Sequence, residues 1–407
     1  MFPLRFRHGI PFVAQASSLW GKQASRLRLV STGVTPVCPT AEDGCTTPLG
    51  MTINCMPAPA ETISLGLPVA IDRIDRGLKK LWSESEGAMT RASMINLAVY
   101  SEEPDSLTQN TQLLARIAEN HACRGIVIGA NPHSKNDRIE AWISAHCHVG
   151  RAGTKQVCSE QISFLLEGAK VKLLPSIVFS QLDSDLPLYL WWQSKFAEPM
   201  DPQLWSWIDR LIYDSQTWRD FKAQMRLVET AQREAKQRIV LCDLNWTRLV
   251  HFRVAFAQFF DHPSSHHHFR EIESGTIVFG KNFRSTAILF IGWLAAQLGW
   301  EVRNGKNGDH IELENSTRNR VKIDLQENGD APIGSFVAHS SDVKFEIALA
   351  RCGDLLEVSR SKSDQSPARQ LLPAGENDSV KLMSEELMRG GQRRVYLRAL
   401  EKVRDLL

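Results

Sequence analysis

Three carboxylates, Asp185, Asp214 and Asp243, each stand beside a short apolar run and near groups able to share protons or charge. Ser215 follows Asp214 directly, and Trp246 and Arg248 follow Asp243. In an open α/β sheet, ligands bind outside the carboxyl ends of the strands. Convergence of the three carboxylates there would build a small polar pocket for acid–base chemistry, or for a sugar phosphate or nucleotide. Capping of loops and helices is the commoner use of such carboxylates.

The same segment concentrates indoles: between Asp183 and Arg248 lie six of the eleven tryptophans. Trp191 and Trp192 are neighbours on an expected strand and must point to opposite faces. Core packing is the usual fate of tryptophan, yet it is also enriched among residues that dominate protein–protein contacts. Trp205, Trp218 and Trp246 fall near expected loop ends and read as the exposed members of a partner-binding face. The candidate set is therefore Asp185, Trp191, Trp192, Trp205, Asp214, Ser215, Trp218, Asp243, Trp246 and Arg248.

Other chemistries lack their motifs. After the apolar run Gly125–Gly129 the chain continues Ala130-Asn-Pro-His-Ser134, without the glycine pattern of a dinucleotide site. The segment 150–155 (Gly-Arg-Ala-Gly-Thr-Lys) lacks the Gly-Lys-Ser/Thr ending that triphosphate needs, and reads as a hairpin loop. No Gly-x-Ser-x-Gly is present. His146 and His148 share one side of an expected strand while Cys147 faces the other. His262 and His266 to His268 form a His-rich stretch without closed zinc spacing. No catalytic residue, metal or cofactor is expected. The cysteines at 38, 45, 55, 123, 147, 158, 242 and 352 form no CxxC pair. A chain this large needs no disulfide, so a reducing cytosol and idle thiols are the default.

Positioning these residues requires regular elements. Ile71, Ile74, Leu78 and Leu81 recur at helical spacing. Strand Ile95–Tyr100, helix Asp105–Asn120 and buried strand Gly125–Gly129 form a βαβ pattern. Strands are expected at Glu140–His146, Gln156–Leu166, Pro187–Trp192, Leu211–Tyr213 and Ile239–Cys242. Helices are expected at Glu167–Leu182 (despite Pro175), Pro202–Ile208, Thr217–Gln237 and Thr247–Phe260. Beyond a polar stretch, 261–270, come a strand at Gly275–Phe279 and a buried helix, Ser285–Leu298. Alternating strands follow at His310–Glu314, Arg320–Leu325, Gly334–His339, Val343–Ala350 and Leu355–Ser359, then helices Ser379–Met388 and Gln392–Leu406. The fold class is thus α/β: residues 67–260 form a helix-covered, mostly parallel or mixed sheet. Residues 271–407 form a smaller α+β domain with antiparallel strands. Residues 1–66 are expected to be a disordered lead, acid-free before Glu42, with Met51 as an alternative translation start.

Charge narrows the partners. Lys and Arg number 48 against 46 Asp and Glu, a net charge of +2, far from the basic excess of a nucleic-acid binder. The longest apolar stretch, Ala287–Trp300, is interrupted by Gln297 and shorter than the roughly 20 residues of a membrane span.

Three phrases carry a family resemblance: Asp185-Leu-Pro-Leu-Tyr-Leu-Trp-Trp192, Arg210-Leu-Ile-Tyr-Asp-Ser215 and Asp243-Leu-Asn-Trp-Thr-Arg-Leu249. With His146-Cys-His148 and Val157-Cys-Ser-Glu-Gln-Ile162 before them, they resemble the OpcA family, the glucose-6-phosphate dehydrogenase assembly proteins. The likeness runs from about residue 67 onward and is weaker in the last third. It implies a cytoplasmic, non-catalytic accessory protein. Such a protein binds glucose-6-phosphate dehydrogenase, favours its active oligomer, and so supports NADPH production by the oxidative pentose phosphate pathway. The resemblance carries over no catalytic residues. The alternative is an enzyme or small-molecule sensor using the strand-end pocket around Asp185, Asp214 and Asp243.

Overall fold

The computed structural model describes residues 65–83, 89–103, 105–149, 156–197, 202–234, 239–261, 266–304, 308–362, 368–389 and 393–407. The expected lead (1–66) and the segment 150–155 lie essentially outside them. The chain begins with β1 (Leu67–Pro68), α1 (Ile74–Ser83), β2 (Met89–Arg91), β3 (Ile95–Ser101), α2 (Ser106–Ala118) and β4 (Cys123–Asn131). Then come β5 (Ile139–Val149), β6 (Gln156–Glu167), α3 (Leu174–Ser180), β7 (Leu188–Trp192), α4 (Pro202–Trp205), β8 (Arg210–Tyr213), α5 (Phe221–Glu234) and β9 (Val240–Asp243). Three helices follow: α6 (Leu244–Arg248), α7 (Val250–Gln258) and α8 (His266–Arg270). The second half holds β10 (Ile272–Gly280), α9 (Arg284–Leu298), β11 (Glu301–Asn304), β12 (His310–Glu314), β13 (Arg320–Gly329) and β14 (Ser335–Ser340). It closes with β15 (Val343–Leu349), β16 (Leu355–Lys362), β17 (Ala368–Pro373), α10 (Ser379–Met388) and α11 (Arg394–Leu406).

The first sheet runs β1-β5-β6-β4-β3-β7-β8-β9, with β2 beside β6. From β6 to β9 every pairing is parallel, while β1–β5 and β5–β6 are antiparallel. Parallel strands buried on both faces need continuous apolar sequence, and β3 supplies it. Leu97 and Val99 pack with Leu107 and Leu114 of α2, whereas Ala98 and Tyr100 join the core on the other face. At Gly125 in β4 a Cβ would meet Leu114 Cδ2 at 2.5 Å, so the absence of a side chain lets α2 approach.

The second sheet runs β11-β12-β13-β10-β14-β15-β16-β17 and is antiparallel apart from β10–β13. One apolar cluster spans both sheets, and α10 returns from the far end of the chain to pack Val380, Leu382 and Met383 under the first. Helices α9 and α11 pack closely because Gly292 leaves room: a Cβ there would meet Val403 Cγ2 at 2.4 Å.

The fold is α/β with a mixed first sheet and a mostly antiparallel second one, as its sequence pattern indicates. Local differences have local causes. Pro175 is accommodated in the first turn of α3, where its missing N–H costs nothing. The helix expected from Thr247 breaks at Leu249 into α6 and α7. Edge strand β17 escapes a periodicity reading because five of its six residues are exposed.

The cysteines depart from expectation. Antiparallel pairing sets Cys147 opposite Cys158, with Cα atoms 4.1 Å apart, and the two form a disulfide. Register across the hairpin, which neither cysteine's own neighbours reveal, brings them together. The bridge closes a loop whose ends are 11 residues apart, so the Cys147→Ser/Cys158→Ser double variant should lose roughly 3 kcal/mol on the chain-entropy view. Denaturant midpoints with and without reductant check this; identical midpoints would show that the hairpin's own hydrogen bonds hold the register. Cys123 and Cys242 are buried thiols, each pushed up to about 12 by that burial, and are therefore poor nucleophiles.

Candidate functional site

Strands β8 and β9 end side by side, in register from Arg210–Val240 to Tyr213–Asp243. Each leads into a carboxylate that caps the next turn: Asp214 accepts from Gln216 N at 3.0 Å, and Asp243 from Asn245 N at 2.9 Å. This cap chemistry brings Asp214, Ser215, Asp243 and Arg248 together at the carboxyl edge of the sheet.

Asp243 is the buried centre. Its Oδ1 accepts from the backbone of Ser215 and Asn245, while its Oδ2 accepts from Ser215 Oγ at 2.7 Å and Tyr396 OH at 3.0 Å. Burial pushes its carboxyl up to about 7 and the neighbouring Asp214 charge adds to this, with the Ser215 and Tyr396 hydrogen bonds opposing. Tyr396 in turn meets Tyr213 OH at 2.9 Å. Arg248 lies just outside. It grips Asp214 with two bonds, of 2.8 and 3.1 Å, and also donates to Asn245 and Asn377. Thr286 of α9 donates to Asn245 Oδ1 at 2.6 Å. The cluster thus ties β8 and β9 to α9 and α11 of the second half.

Asp185 does not join it. It is exposed and precedes β7, at the opposite, amino edge of the sheet. There the turn is held by Asn96, which donates to the carbonyls of Asp183 and Leu186 at 2.9 and 2.8 Å. Parallel strands put residues before and after a strand at opposite ends of the sheet, so the three carboxylates cannot converge.

The tryptophans also need correction. Trp191 and Trp192 do face opposite sides, Trp191 in one cluster and Trp192 against the other. Trp205, Trp218 and Trp246, however, are only 3, 8 and 6% exposed. Trp192 stacks on Tyr100 at 4.0 Å and leads through Phe196 to Trp205 and Trp218, while Trp218 stacks on Tyr213 at 5.0 Å. Trp246 is sandwiched between Tyr396 and Arg253, whose guanidinium lies 3.6 Å from its ring centre. These indoles are core. The half-exposed one is Trp207, at 51%. Sequence reasoning passed over it, although it stands two positions beyond Trp205, an indole buried at the end of α4. Trp207 precedes β8 and Met94 precedes β3, and both are exposed at the amino edge. Exposed Met388 ends α10, where Arg210 of β8 donates to the next carbonyl, that of Arg389, at 3.1 Å.

Two further features constrain the chemistry. The turn after β3 is the place where a dinucleotide-binding sheet presents N–H groups to phosphate. Here it carries Glu102, Glu103 and Asp105, which repel phosphate. Beside Arg248 opens a cleft of about 380 Å³ whose lining includes His251, Asp354, Glu376, Asp378 and Glu385. Burial opposes ionisation of Glu385, but His251 and Arg389 hold its carboxyl below the usual range. Among the sequence-level metal candidates, Cys147 is in the disulfide and His262 lies outside the described residues. His267 and His268 converge with Glu271.

Two family models match the chain: the glucose-6-phosphate dehydrogenase subunit N-terminal domain over residues 115–230 and the C-terminal domain of the same subunit over 239–400. Two similar relatives carry the name OxPP cycle protein OpcA. The one from Nostoc punctiforme is 24% identical over 70% of this chain and 65% of its own length. The one from Synechococcus elongatus is 24% identical over 70% of this chain and 67% of its own length. The chain thus spans about two thirds of the length of these relatives. Solved structures with similar shape include a 3-ketoreductase from Actinomadura kijaniata, 11% identical over 76% of this chain and 94% of that one, at a TM-score of 0.41. An aldose-aldose oxidoreductase from Caulobacter crescentus is 9% identical over 77% and 94%, at a TM-score of 0.42. No helix among the described residues is long and apolar enough to cross a membrane.

Proposed function

Given that this chain belongs to the OpcA family of glucose-6-phosphate dehydrogenase assembly proteins, we propose that it is a non-catalytic assembly factor and allosteric activator of that dehydrogenase in the cytoplasm. It would work by binding the enzyme's active oligomer better than its inactive form, since a ligand shifts an equilibrium only by its differential affinity for the two states. One observation carries the non-catalytic half. The polar cluster at the sheet's carboxyl edge is spent on itself: both oxygens of Asp243 and of Asp214, and all three guanidinium nitrogens of Arg248, are engaged inside the chain. Ser215, whose hydroxyl donates to the Asp243 carboxylate as that of Tyr396 does, is completely buried and out of reach of a substrate.

The sensor reading draws support from the cleft beside Arg248, but its four carboxylates, Asp354, Glu376, Asp378 and Glu385, disfavour a sugar phosphate or nucleotide. The partner-binding face is better placed at the amino edge, on Trp207 with Met94 and Met388. An exposed indole and two exposed methionines offer apolar area at low entropic cost.

Titrating the purified protein into glucose-6-phosphate dehydrogenase should raise apparent substrate affinity or maximal rate saturably, with a complex resolved by size-exclusion mass measurement. Trp207→Ala should weaken that effect by roughly 1–4 kcal/mol. No complex and no kinetic change with both proteins at micromolar concentration would sink the assignment.

A further inference from the structure

Just before β10 the fold gathers two imidazoles and a carboxylate. His267 and His268 lie on α8 with ring centres 3.8 Å apart, and Glu271 follows within one turn of both. One ligand atom from each falls within 4.8 Å of the others. A tetrahedral ion held at about 2.0–2.2 Å needs its ligand atoms some 3.4 Å apart. Closing that difference takes small side-chain rotations, which exposed His267 and Glu271 are free to make.

His268 is the fixed member of the three. It is 5% exposed, its ring meets Phe345 edge-on at 6.0 Å, and its carbonyl accepts from Ser340 Oγ at 3.0 Å. Its Nδ1 is buried with no hydrogen-bond partner among the described residues, and Glu271 Oε2 stands 3.7 Å away. That separation is too long for a hydrogen bond. A buried, unpartnered ring nitrogen is costly and calls for a reason. An ion between Nδ1 and Glu271 supplies one.

We propose that His267, His268 and Glu271 bind a divalent transition-metal ion of the zinc type, with water completing its shell. Two imidazoles and one carboxylate suit zinc, nickel or cobalt rather than calcium or magnesium, which take oxygen ligands. Arg360 tunes the site. Its Nη2 lies 3.3 Å from His268 Nε2, so in the metal-free protein Nε2 accepts from Arg360 and the ring proton sits on Nδ1. Metal binding at Nδ1 moves that proton to Nε2 and turns Arg360 away. The ion would also fasten α8 to the β14–β15 turn, where Ser341 Oγ already donates to Glu271 at 3.2 Å.

The test is calorimetric titration of the chelator-treated full chain with zinc chloride, with cobalt(II) visible absorption reporting the ligand field. One equivalent should bind. His267→Ala and Glu271→Gln, both at exposed positions that leave the fold intact, should each weaken binding at least tenfold. Loss of an outer partner alone costs about 10–100-fold in such sites, and loss of a ligand costs no less. Arg360→Ala should tighten binding by removing the competing donor and its charge. No binding, or binding unchanged in His267→Ala and Glu271→Gln, would overturn the proposal; the latter would mark an adventitious ion only, held by other histidines of the 262–268 run.

Discussion

Trp205→Ala is expected to lower the unfolding free energy by roughly 3–5 kcal/mol, with Trp218→Ala close behind, while Trp207→Ala costs little. Trp205 is 3% exposed and touches Trp192 and Phe196 at ring separations of 6.0 Å each. Truncation would leave a cavity walled by rings that cannot collapse into it, so the lost transfer energy and the cavity term add. Trp207 differs because half its surface already meets water. The pair therefore separates stability from the proposed partner binding: Trp205→Ala should unfold at lower urea, whereas Trp207→Ala should keep its midpoint and, on the proposed role, weaken activation of the dehydrogenase. Equal midpoint losses for the two variants would show that Trp207 is packed in solution and would remove it as an interface candidate.

Asp243 should make stability depend on pH with an unusual sign. Its carboxyl is raised from 3.8 to about 7, chiefly by burial. A raised folded-state value means the native protein holds a proton that the unfolded chain releases more readily. The associated stability is present in full below about pH 4 and is lost as pH rises through about 7. Three units correspond to on the order of 4 kcal/mol. Asp243→Asn keeps the side-chain shape, and the hydroxyls of Ser215 and Tyr396 can turn to accept from the amide. The stability of wild type minus that of Asp243→Asn should therefore fall between pH 4 and 7 and level off above. Paired urea titrations across that range measure the difference. A difference flat with pH would mean that the four donors around Asp243 keep it ionised throughout.

The elements were largely written in the local sequence. The alternation of Leu97, Ala98, Val99 and Tyr100 requires a strand buried on both faces, and the βαβ spacing around it requires parallel pairing. Asp214 and Asp243 were legible as strand-end residues because a cap is a local device: an apolar run, a carboxylate, then the turn that needs its N–H groups satisfied. The family resemblance also rests on contiguous phrases and needed no coordinates.

What the sequence could not decide depends on partners far along the chain. Whether an indole is core or surface is set by what covers it. Trp205 and Trp207 differ by two positions, and only the packing of α4 against the aromatic row around Trp192 separates them. Asp185 reads like its two companions, yet parallel topology places it at the other edge of the sheet. Cys147 meets Cys158 through hairpin register, and Tyr396 reaches Asp243 across 153 residues of sequence. The convergence of His267 and His268 with Glu271 likewise depends on a buried seat beside Phe345. Periodicity reports which face of an element is apolar; it takes the tertiary structure to decide what that face, and each polar group on it, will meet.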